Sequence, residues 1–439
     1  MFSDILKIKG GKKLKGSIKP QGAKNEAFQV LAAVLLTEED VFIHNLPKIL
    51  DIVNLLDLFR LISVSVKDLG EGSWQFNASN VDPEKMKTDL FQQKFSELRG
   101  SLMVSGAMLA RFGVGYLPEP GGDRIGVRPV TVHTRAFVDI GGEFDRENNI
   151  ISLTKIDSKR ITLREASVTG TANVILASVL KKGEKEHRLE IYNAACEPYI
   201  QQLCKMLNSM GAKISGSGTN LLSIEGVEKL SGTEHRLDPD MIEIGSFICM
   251  AAAVGEGVLI EGAKVSHLGE IAFYIFEKLG VTIEEKSDGL FVPKHDEINI
   301  KRPTTKAKRI RTVYDDRWPG LSPDHLSSLI AMSVHSKGMV TFKQRMFDRR
   351  LLFCDVLNTM GADTIMSHHQ EVTVIGNNRS SKLTGVKMAS PDIRAGMALV
   401  IAALSAEGES VINNAGQIHR GYEDIVDRLR ILGADISDK

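Results

Sequence analysis

The feature that most constrains the fold of this chain is an internal repeat. An apolar helix, a strand, an amphipathic helix and a second strand follow one another in that order, and the series returns several times. The first copy predicts a helix over residues 26–36, a strand over 41–44 and a helix over 49–61. Later copies start near Val168, Asp240, Asp324 and Asp392. With a helix-like segment from Glu97 to Phe112, the six starts are spaced by roughly 70 residues, longer than the common short solenoid periods.

The ends of the repeats resemble one another. Three amphipathic helices close on Met210-Gly211-Ala212, Met360-Gly361-Ala362 and Leu432-Gly433-Ala434, and a fourth closes on Leu279-Gly280-Val281. Glycine at this position is typical of a helix C-terminus. The first helix of a repeat, such as residues 244–254, has little polar face and is expected to be buried. Six mixed α/β units of this kind predict two domains of three units each.

Composition limits the class of protein. The 439 residues are enough for two or three domains, and 55 basic residues balance 55 acidic ones. No overall field attracts nucleic acid or an anionic membrane, so any anion must be held locally. No apolar run has the length of a membrane span or a signal peptide, which predicts a cytoplasmic protein. The spacing of the four cysteines and of the histidines indicates neither disulfides nor a metal site, and no cofactor is expected.

A glycine- and proline-rich stretch, residues 115–133, is predicted to be a long loop on a rigid base. Asp123 lies at its tip, next to Arg124 and five residues before Arg128. The residues alone allow two interpretations. The loop is either a solvated surface turn or a lid that delivers an acid/base group to an anionic substrate.

Three motifs carry a resemblance to a known family. The segment Gly121-Gly122-Asp123-Arg124-Ile125-Gly126-Val127-Arg128-Pro129-Val130 resembles the active-site loop of the UDP-N-acetylglucosamine 1-carboxyvinyltransferases, which are enolpyruvyl transferases of bacterial cell-wall synthesis. Gly22-Ala23-Lys24-Asn25 and Arg420-Gly421-Tyr422-Glu423 match further motifs, and the resemblance covers essentially the whole chain. The family usually has cysteine where Asp123 stands, and a minority of its members have aspartate.

The resemblance implies the architecture. It implies an α/β (α+β) fold of two inside-out α/β barrel domains, each built from three repeats, with the active site in the cleft between the domains. Residues 1–23 and 239–439 would form one domain. Residues 24–238, with the 115–133 loop, would form the other.

The resemblance also implies the reaction. The family transfers the enolpyruvyl group of phosphoenolpyruvate to the 3-hydroxyl of UDP-N-acetylglucosamine and releases phosphate, by addition followed by elimination. Asp123 would be the acid and Asp324 the base, and Lys24 and Arg420 would neutralise the phosphate. Because a carboxylate is a poorer nucleophile than a thiolate, resistance to fosfomycin, which alkylates the family's cysteine, is expected.

Substrate-binding residues follow motif by motif. Arg128 and Arg420 would hold the phosphate, Arg350 and Arg394 the carboxylate, and Phe347 with Asp348 would border the nucleotide sugar. The full set implied by the resemblance comprises Lys24, Asn25, Arg99, Arg128, Pro129, Val130, Thr131, Val132, Ser167, Val168, Thr169, Asp324, Phe347, Asp348, Arg350, Arg394 and Arg420. The sequence departs from the usual family pattern at Thr131, often Asp, at Thr169-Gly170-Thr171, often Gly-Ala-Thr, and at Leu321-Ser322-Pro323, usually Phe-Pro-Thr.

Two alternatives remain open at this point. One is the sister enzyme of the same fold, which acts on shikimate 3-phosphate and lacks the Gly-Gly-Cys/Asp loop. The other is a catalytically weak paralogue that binds the UDP-sugar and regulates a partner, which the replaced loop cysteine suggests and the retained Lys24, Asn25, Asp324, Arg394 and Arg420 oppose. The sequence does not indicate an oligomeric state.

Overall fold

The computed structural model describes residues 4–119, 121, 129–181, 183, 187–303 and 310–438. Within this part the chain divides into two compact units, after residues 21 and 238. We call the described residues among 4–21 and 239–438 the terminal unit, and the described residues among 22–121 and 129–238 the central unit. The domain boundaries expected from the sequence, after residues 23 and 238, stay a prediction.

Fifteen α-helices are found among the described residues. They are α1 Lys24–Val34, α2 Leu50–Leu61, α3 Asp89–Glu97, α4 Leu102–Phe112, α5 Thr131–Asp139, α6 Val168–Ser178, α7 Pro198–Ser209, α8 Met241–Val254, α9 Val265–Leu268, α10 Glu270–Lys278, α11 Leu326–Ser333, α12 Cys354–Thr359, α13 Ile393–Ser405, α14 Gly416–His419 and α15 Ile425–Ile431. Short 3₁₀ helices span Pro83–Lys87, Arg99–Ser101 and Pro323–His325.

The described strands number twenty-three. They are β1 Ile5–Lys9, β2 Leu14–Ile18, β3 Val41–His44, β4 Ser65–Gly70, β5 Ser73–Asn77, β6 Val114–Tyr116, β7 Glu143–Asp145, β8 Ile150–Ser152, β9 Arg160–Thr162, β10 Arg188–Tyr192, β11 Lys213–Ser215, β12 Leu221–Glu225, β13 Thr233–Arg236, β14 Gly255–Glu261, β15 Glu284–Lys286, β16 Gly289–Val292, β17 Arg311–Tyr314, β18 Lys337–Lys343, β19 Asp363–His368, β20 Glu371–Asn377, β21 Lys387–Ala389, β22 Glu409–Asn413 and β23 Asp435–Asp438.

The sheets preserve the repeat seen in the sequence. In the described residues each unit has three sheets: β13-β3-β5-β4, β6-β8-β7 and β9-β10-β12-β11 in the central unit, and β2-β14-β16-β15, β17-β18-β20-β19 and β21-β22-β1-β23 in the terminal unit. In all five four-stranded sheets the first two strands are parallel and the remaining neighbours are antiparallel. Strand β1, from the start of the chain, completes the last of these sheets. The predicted six-unit repeat is therefore confirmed.

The apolar first helices form the core of each unit. In the central unit α1, α4 and α6 contact one another, and in the terminal unit α8, α11 and α13 do the same. Every residue of α8 and of α11 is buried. Each fully buried Ile or Leu side chain contributes about 1.5–3 kcal/mol, so these helices supply much of the driving force for folding. The two units have separate hydrophobic cores.

Local sequence signals fix the helix ends. Asp240 and Asp392 cap α8 and α13, because their carboxylates accept hydrogen bonds from N–H groups of the first turn. The predicted C-terminal glycines, such as Gly211 and Gly361, have φ values of 102° and 97°. This left-handed conformation is strained for other residues, which explains the repeated Gly at the helix ends.

Two predicted elements are wrong at their ends. Gly115 and Tyr116 lie in β6, and Thr131, Val132 and His133 lie in α5, so the expected 115–133 loop is shorter than predicted. The amphipathic pattern of α5, with Ala136 and Phe137 buried, overrides the loop-like composition before it. The predicted helix over residues 97–112 is also wrong at its start, because α3 ends at Glu97 and α4 begins at Leu102. Leu98 between them is extended, with φ −121° and ψ 113°.

Among the described residues no helix combines the length and the apolar character that crossing a lipid bilayer would need. The predicted position of the active site, in a cleft between two domains, stays a prediction.

Candidate functional site

The terminal unit holds a compact charged cluster around Asp324. Arg350 Nη1 lies 2.7 Å from Asp324 Oδ1, and Arg394 Nε donates a hydrogen bond to Asp324 Oδ2 at 3.0 Å. The two arginine side chains are 4% and 5% exposed, whereas Asp324 is 19% exposed. Asp324 and Arg350 belong to one repeat and Arg394 to the next, so two repeats meet at one partly open carboxylate.

The arginines control the charge of this carboxylate. Burial alone would raise the pKa of Asp324, but Arg350 and then Arg394 more than offset it and hold the pKa well below its usual range. Asp324 is therefore ionised at neutral pH. The buried Nε of Arg350 makes no hydrogen bond to any described residue, so a donor remains for an anionic ligand.

The position of Asp324 differs from a simple helix cap. It lies in the 3₁₀ helix Pro323–His325, and the side chain of Ser322 accepts the Asp324 N–H at 3.4 Å. Ser322 thus acts as the cap, and the Asp324 side chain is available for its two arginines. Ser322 belongs to the Leu321-Ser322-Pro323 context that is unusual for the resembled family.

The ring of Tyr422 packs against the guanidinium of Arg394. Its ring centroid lies 5.5 Å from the guanidinium carbon of Arg394, and its buried hydroxyl lies 3.0 Å from Ser246 Oγ. Because Ser246 donates its proton to the Ile242 carbonyl at 2.9 Å, the Tyr422 hydroxyl is the donor to Ser246. The tyrosine of the Arg420-Gly421-Tyr422-Glu423 motif therefore anchors the cluster to α8.

Gln21 forms hydrogen bonds with the backbone of the same motif. Its side-chain amide donates to the Gly421 carbonyl at 2.9 Å and accepts the Glu423 N–H at 2.6 Å. Arg420, which follows α14, donates to Gln417 Oε1 at 2.7 Å. Gln21, three residues before Lys24 in the sequence, thus holds the backbone on both sides of Tyr422.

Phe347 and Asp348, which are predicted to border the nucleotide sugar, stand just before Arg350 in the sequence. Of these two described residues, only Phe347 contacts the charged cluster. The guanidinium carbon of Arg350 lies 4.8 Å from the ring centroid of Phe347, so those two side chains pack together. Asp348 is exposed and accepts a hydrogen bond from Gln370 at 2.9 Å.

In the central unit, Lys24 opens α1 in a buried ion pair. Its ammonium lies 2.6 Å from Asp51 Oδ2, with side-chain exposures of 8% and 4%. Asn25 follows as the second helical residue and is half-buried, and the N-cap position is Ala23. The sequence predicted a lysine at a helix start, and the structure adds a carboxylate from α2 as its partner.

The predicted nucleotide residues lie on two adjacent helices. Thr131 and Val132 open α5, and Ser167 caps α6 by accepting the Gly170 N–H at 3.2 Å. A groove beside them is lined by Thr131 and Val132, by two arginines, Arg135 and Arg164, and by two acidic residues, Asp139 and Glu165. Because these four charges balance, the helix N-terminus is the feature there that suits an anion.

The other predicted residues lie in three places. Val168 and Thr169 start α6. Arg99 is half-buried in its 3₁₀ helix, and its charge helps to lower the pKa of the buried His133. Pro129 is exposed and Val130 half-buried before α5. Asp123 and Arg128 lie outside the described residues.

Several residues of the site gave little signal in the sequence. Asp51 and Gln21 act through partners far away in the chain, and a lone buried histidine such as His133 is ordinarily a core residue. Arg135 could have been found, because it stands one helical turn after Thr131 and shares its face.

Comparisons with known proteins match this chain over nearly its whole length. Residues 8–429 match the family described as EPSP synthase (3-phosphoshikimate 1-carboxyvinyltransferase). The chain is 48% identical over 434 residues to a UDP-N-acetylglucosamine 1-carboxyvinyltransferase of Bacteroides fragilis and 46% identical over 434 residues to that of Bacteroides thetaiotaomicron. Each alignment covers 98% of both chains.

Solved structures with lower sequence identity share the fold. The enolpyruvyl transferase NikO from Streptomyces tendae aligns with a TM-score of 0.84 at 21% identity, over 100% of this chain and 99% of that one. EPSP synthase from Acinetobacter baumannii aligns with a TM-score of 0.73 at 17% identity, over 99% of each chain. These likenesses confirm the predicted two-domain α/β fold.

Proposed function

This chain belongs to the enolpyruvyl transferase family and, within it, to the UDP-N-acetylglucosamine 1-carboxyvinyltransferases, and we propose that it transfers enolpyruvyl from phosphoenolpyruvate to the 3-hydroxyl of UDP-N-acetylglucosamine. It is a transferase, and the product enters peptidoglycan precursor synthesis. The observation that carries this conclusion is the full-length similarity to relatives of that name. The family description mentions the shikimate enzyme, but the relatives with high identity act, by name, on the UDP-sugar.

The reaction proceeds by addition and elimination. The sugar 3-hydroxyl loses its proton to a base while its oxygen bonds to carbon 2 of phosphoenolpyruvate, and an acid protonates the methylene carbon. The tetrahedral intermediate then loses a proton from the new methyl group and expels phosphate, so the bond between carbon and the bridging oxygen breaks.

Asp324 is the proposed base. The support is its partial exposure and its ionised state between Arg350 and Arg394. In the free protein these arginines make Asp324 a weak base. A substrate carboxylate that shares the two guanidiniums would weaken their hold on Asp324 and raise its pKa toward the range that general-base catalysis needs. Arg420, with Arg128, would bind the phosphate group instead.

Residues of the central unit would bind the rest of the substrates. Lys24 would meet the phosphate of phosphoenolpyruvate, and Asn25 the sugar. Arg128, Pro129, Val130, Thr131 and Val132 would surround the uracil, while Ser167, Val168 and Thr169 would meet the diphosphate. The N-terminus of α6, capped by Ser167, supports the last assignment.

Asp123 is the proposed acid, in place of the cysteine usual in the family. An unperturbed aspartate has a pKa of about 3.9, so it must lose water contact to carry a proton at neutral pH. Because a carboxylate reacts poorly with an epoxide, the protein should resist fosfomycin, and Asp123→Cys should become sensitive. Intact-mass measurement after fosfomycin treatment checks both, and a covalent adduct on the wild type would contradict the assignment.

The function itself is tested by phosphate release from phosphoenolpyruvate. We expect release that depends on UDP-N-acetylglucosamine, no release with shikimate 3-phosphate, and loss of release in Asp123→Asn. Asp355→Asn, which changes an exposed carboxylate on α12, is the matched control and should keep wild-type activity. Tight UDP-sugar binding without any release would favour the regulatory paralogue instead. The cytoplasmic location stays a prediction.

A further inference from the structure

The side-chain amide of Asn173, buried on α6, has only one possible orientation. Its Oδ1 accepts the Gly106 N–H at 3.0 Å, and its Nδ2 donates to the Leu102 carbonyl at 2.8 Å. These are the two backbone groups of α4 that a regular helix would pair with each other. In a flipped amide, Nδ2 would face the Gly106 N–H and Oδ1 would face the Leu102 carbonyl, and neither pair can form a hydrogen bond. The backbone of α4 therefore fixes which side-chain atom is nitrogen.

This orientation determines the tautomer of His133. The second Nδ2 hydrogen of Asn173 points to His133 Nδ1, 2.8 Å away. An amide nitrogen only donates, so Nδ1 must accept and the ring proton must sit on Nε2. Burial and the nearby Arg99 lower the pKa of His133 to about 3, which keeps the ring neutral.

The proton on Nε2 in turn orients Thr169. His133 Nε2 lies 3.1 Å from Thr169 Oγ1 and donates to it. The Thr169 hydroxyl, half-buried in the first turn of α6, therefore accepts on its inner side and directs its own hydrogen away from the ring. Ser167 Oγ, 3.5 Å away, already accepts the Gly170 N–H.

We propose that Asn173 and His133 are positioning residues that fix the Thr169 hydroxyl as a hydrogen-bond donor to the diphosphate of the UDP-sugar. The inference rests on the proposed function, because that function supplies the diphosphate. If the hydroxyl instead donated to the ring, its lone pairs would face the phosphate oxygens and repel them. We call the hydrogen-bonded series Asn173, His133 and Thr169 the relay. It turns a hydroxyl that could point either way into a donor.

The packing of α4 against α6 makes this relay specific. A Cβ on Gly106 would lie 2.5 Å from the Asn173 carbonyl oxygen and 2.6 Å from its Oδ1. No other residue at position 106 leaves room for the amide. The relay therefore depends on glycine at position 106 as well as on Asn173 and His133.

A double-mutant cycle on UDP-N-acetylglucosamine binding, measured by calorimetry, tests the proposal. Thr169→Val should weaken binding ~10-fold, as loss of one hydrogen bond to a charged group does. His133→Phe should cost about the same, and the double variant about 10-fold rather than the roughly 100-fold expected of independent sites. His133→Gln, whose Nε2 can still donate, should restore most of the affinity. Each change should appear in the KM for the UDP-sugar and not in kcat.

His187→Phe is the matched control. His187 is also buried, and its Nε2 bonds the Ser178 carbonyl at the opposite end of α6 at 2.8 Å. We expect no change in binding. Additive losses in the double variant would overturn the relay and leave His133 a merely structural residue.

Nitrogen NMR of labelled histidine in the ligand-free protein separates this proposal from the function it rests on. A proton on Nε2 of His133 and none on Nδ1 is expected. A proton on Nδ1 would overturn the relay whatever the protein binds. Absence of UDP-sugar binding by the wild type, with the Nε2 tautomer present, would instead overturn the proposed function and with it the role of Thr169 toward a diphosphate.

Discussion

The two units prepare their binding residues in opposite ways. In the terminal unit, Asp324 is held between two buried cations, Arg350 and Arg394, at 2.7 and 3.0 Å. In the central unit, Thr169 is held by the neutral side chains of His133 and Asn173 through hydrogen bonds of 3.1 and 2.8 Å. The charged cluster can change protonation when a substrate anion arrives. The neutral relay keeps one arrangement across the physiological pH range.

The difference suits the chemistry proposed for each. A base must gain and lose a proton, so its environment must respond to the ligand. A diphosphate site only has to bind, and a preorganised neutral donor does so without a pKa that depends on conditions. Both regions lie at or next to the starts of first helices of the repeats, α6, α11 and α13.

The largest expected effect comes from breaking the charged cluster. Asp324→Ala removes the proposed base and leaves two buried guanidiniums without their carboxylate. We expect kcat to fall by about 10³-fold and the free energy of unfolding to fall by about 3 kcal/mol. Steady-state kinetics and urea denaturation measure the two effects. Asp355→Ala, on the surface of α12, should change neither, and wild-type turnover in Asp324→Ala would remove Asp324 from the mechanism.

Breaking the neutral relay should cost less. Gly106→Ala forces a methyl group against the Asn173 backbone, and overpacking of this kind destabilises by about 2 kcal/mol. UDP-sugar affinity should fall with it. Gly416→Ala provides the comparison, since the nearest atom to a Cβ there, Asp4 Oδ1, is 3.4 Å away. Equal stability of the two variants would show that α4 and α6 can separate to admit a methyl group.

The smallest effect concerns pH. His133 has a folded pKa of about 3, below the value of about 6.5 in an unfolded chain. As pH falls from 7 to 5.5, the unfolded chain binds a proton at this site and the folded protein does not, so stability is lost. The wild type should therefore lose about 1 kcal/mol more than His133→Gln over this interval.

Urea titrations at both pH values measure this difference. Thr169→Val keeps His133 and should behave like the wild type. Identical pH dependence in the wild type and His133→Gln would mean that His133 takes up a proton in the folded protein, against the neutral relay.

Much of the fold was accessible from the sequence because each element carries a local signal. The strand predicted over residues 41–44 coincides with β3, and uninterrupted apolar runs predicted the buried helices. Composition misled where tertiary packing decided the outcome. Residues 131–133 were predicted to belong to a glycine- and proline-rich loop. They begin α5 instead, because Ala136 and Phe137 of that helix are buried in the core.

The candidate site was predictable only in part, and for a physical reason. Lys24, Asp324 and the arginines belong to short motifs, so a resemblance could identify them. Their partners could not be identified, since ion pairs and hydrogen bonds join residues far apart in the chain. Asp51 meets Lys24 from the next helix, and the tautomer of His133 depends on two backbone groups of α4.

The measurement that tests the central claim most directly follows the bridging oxygen of phosphoenolpyruvate. The substrate is labelled with a heavy isotope at the oxygen between carbon and phosphorus, and the released phosphate is weighed by mass spectrometry. Enolpyruvyl transfer breaks the carbon–oxygen bond, so we predict labelled phosphate that appears only when UDP-N-acetylglucosamine is present. Unlabelled phosphate would reveal cleavage between phosphorus and oxygen and would contradict the proposed reaction, as would release that does not depend on the sugar.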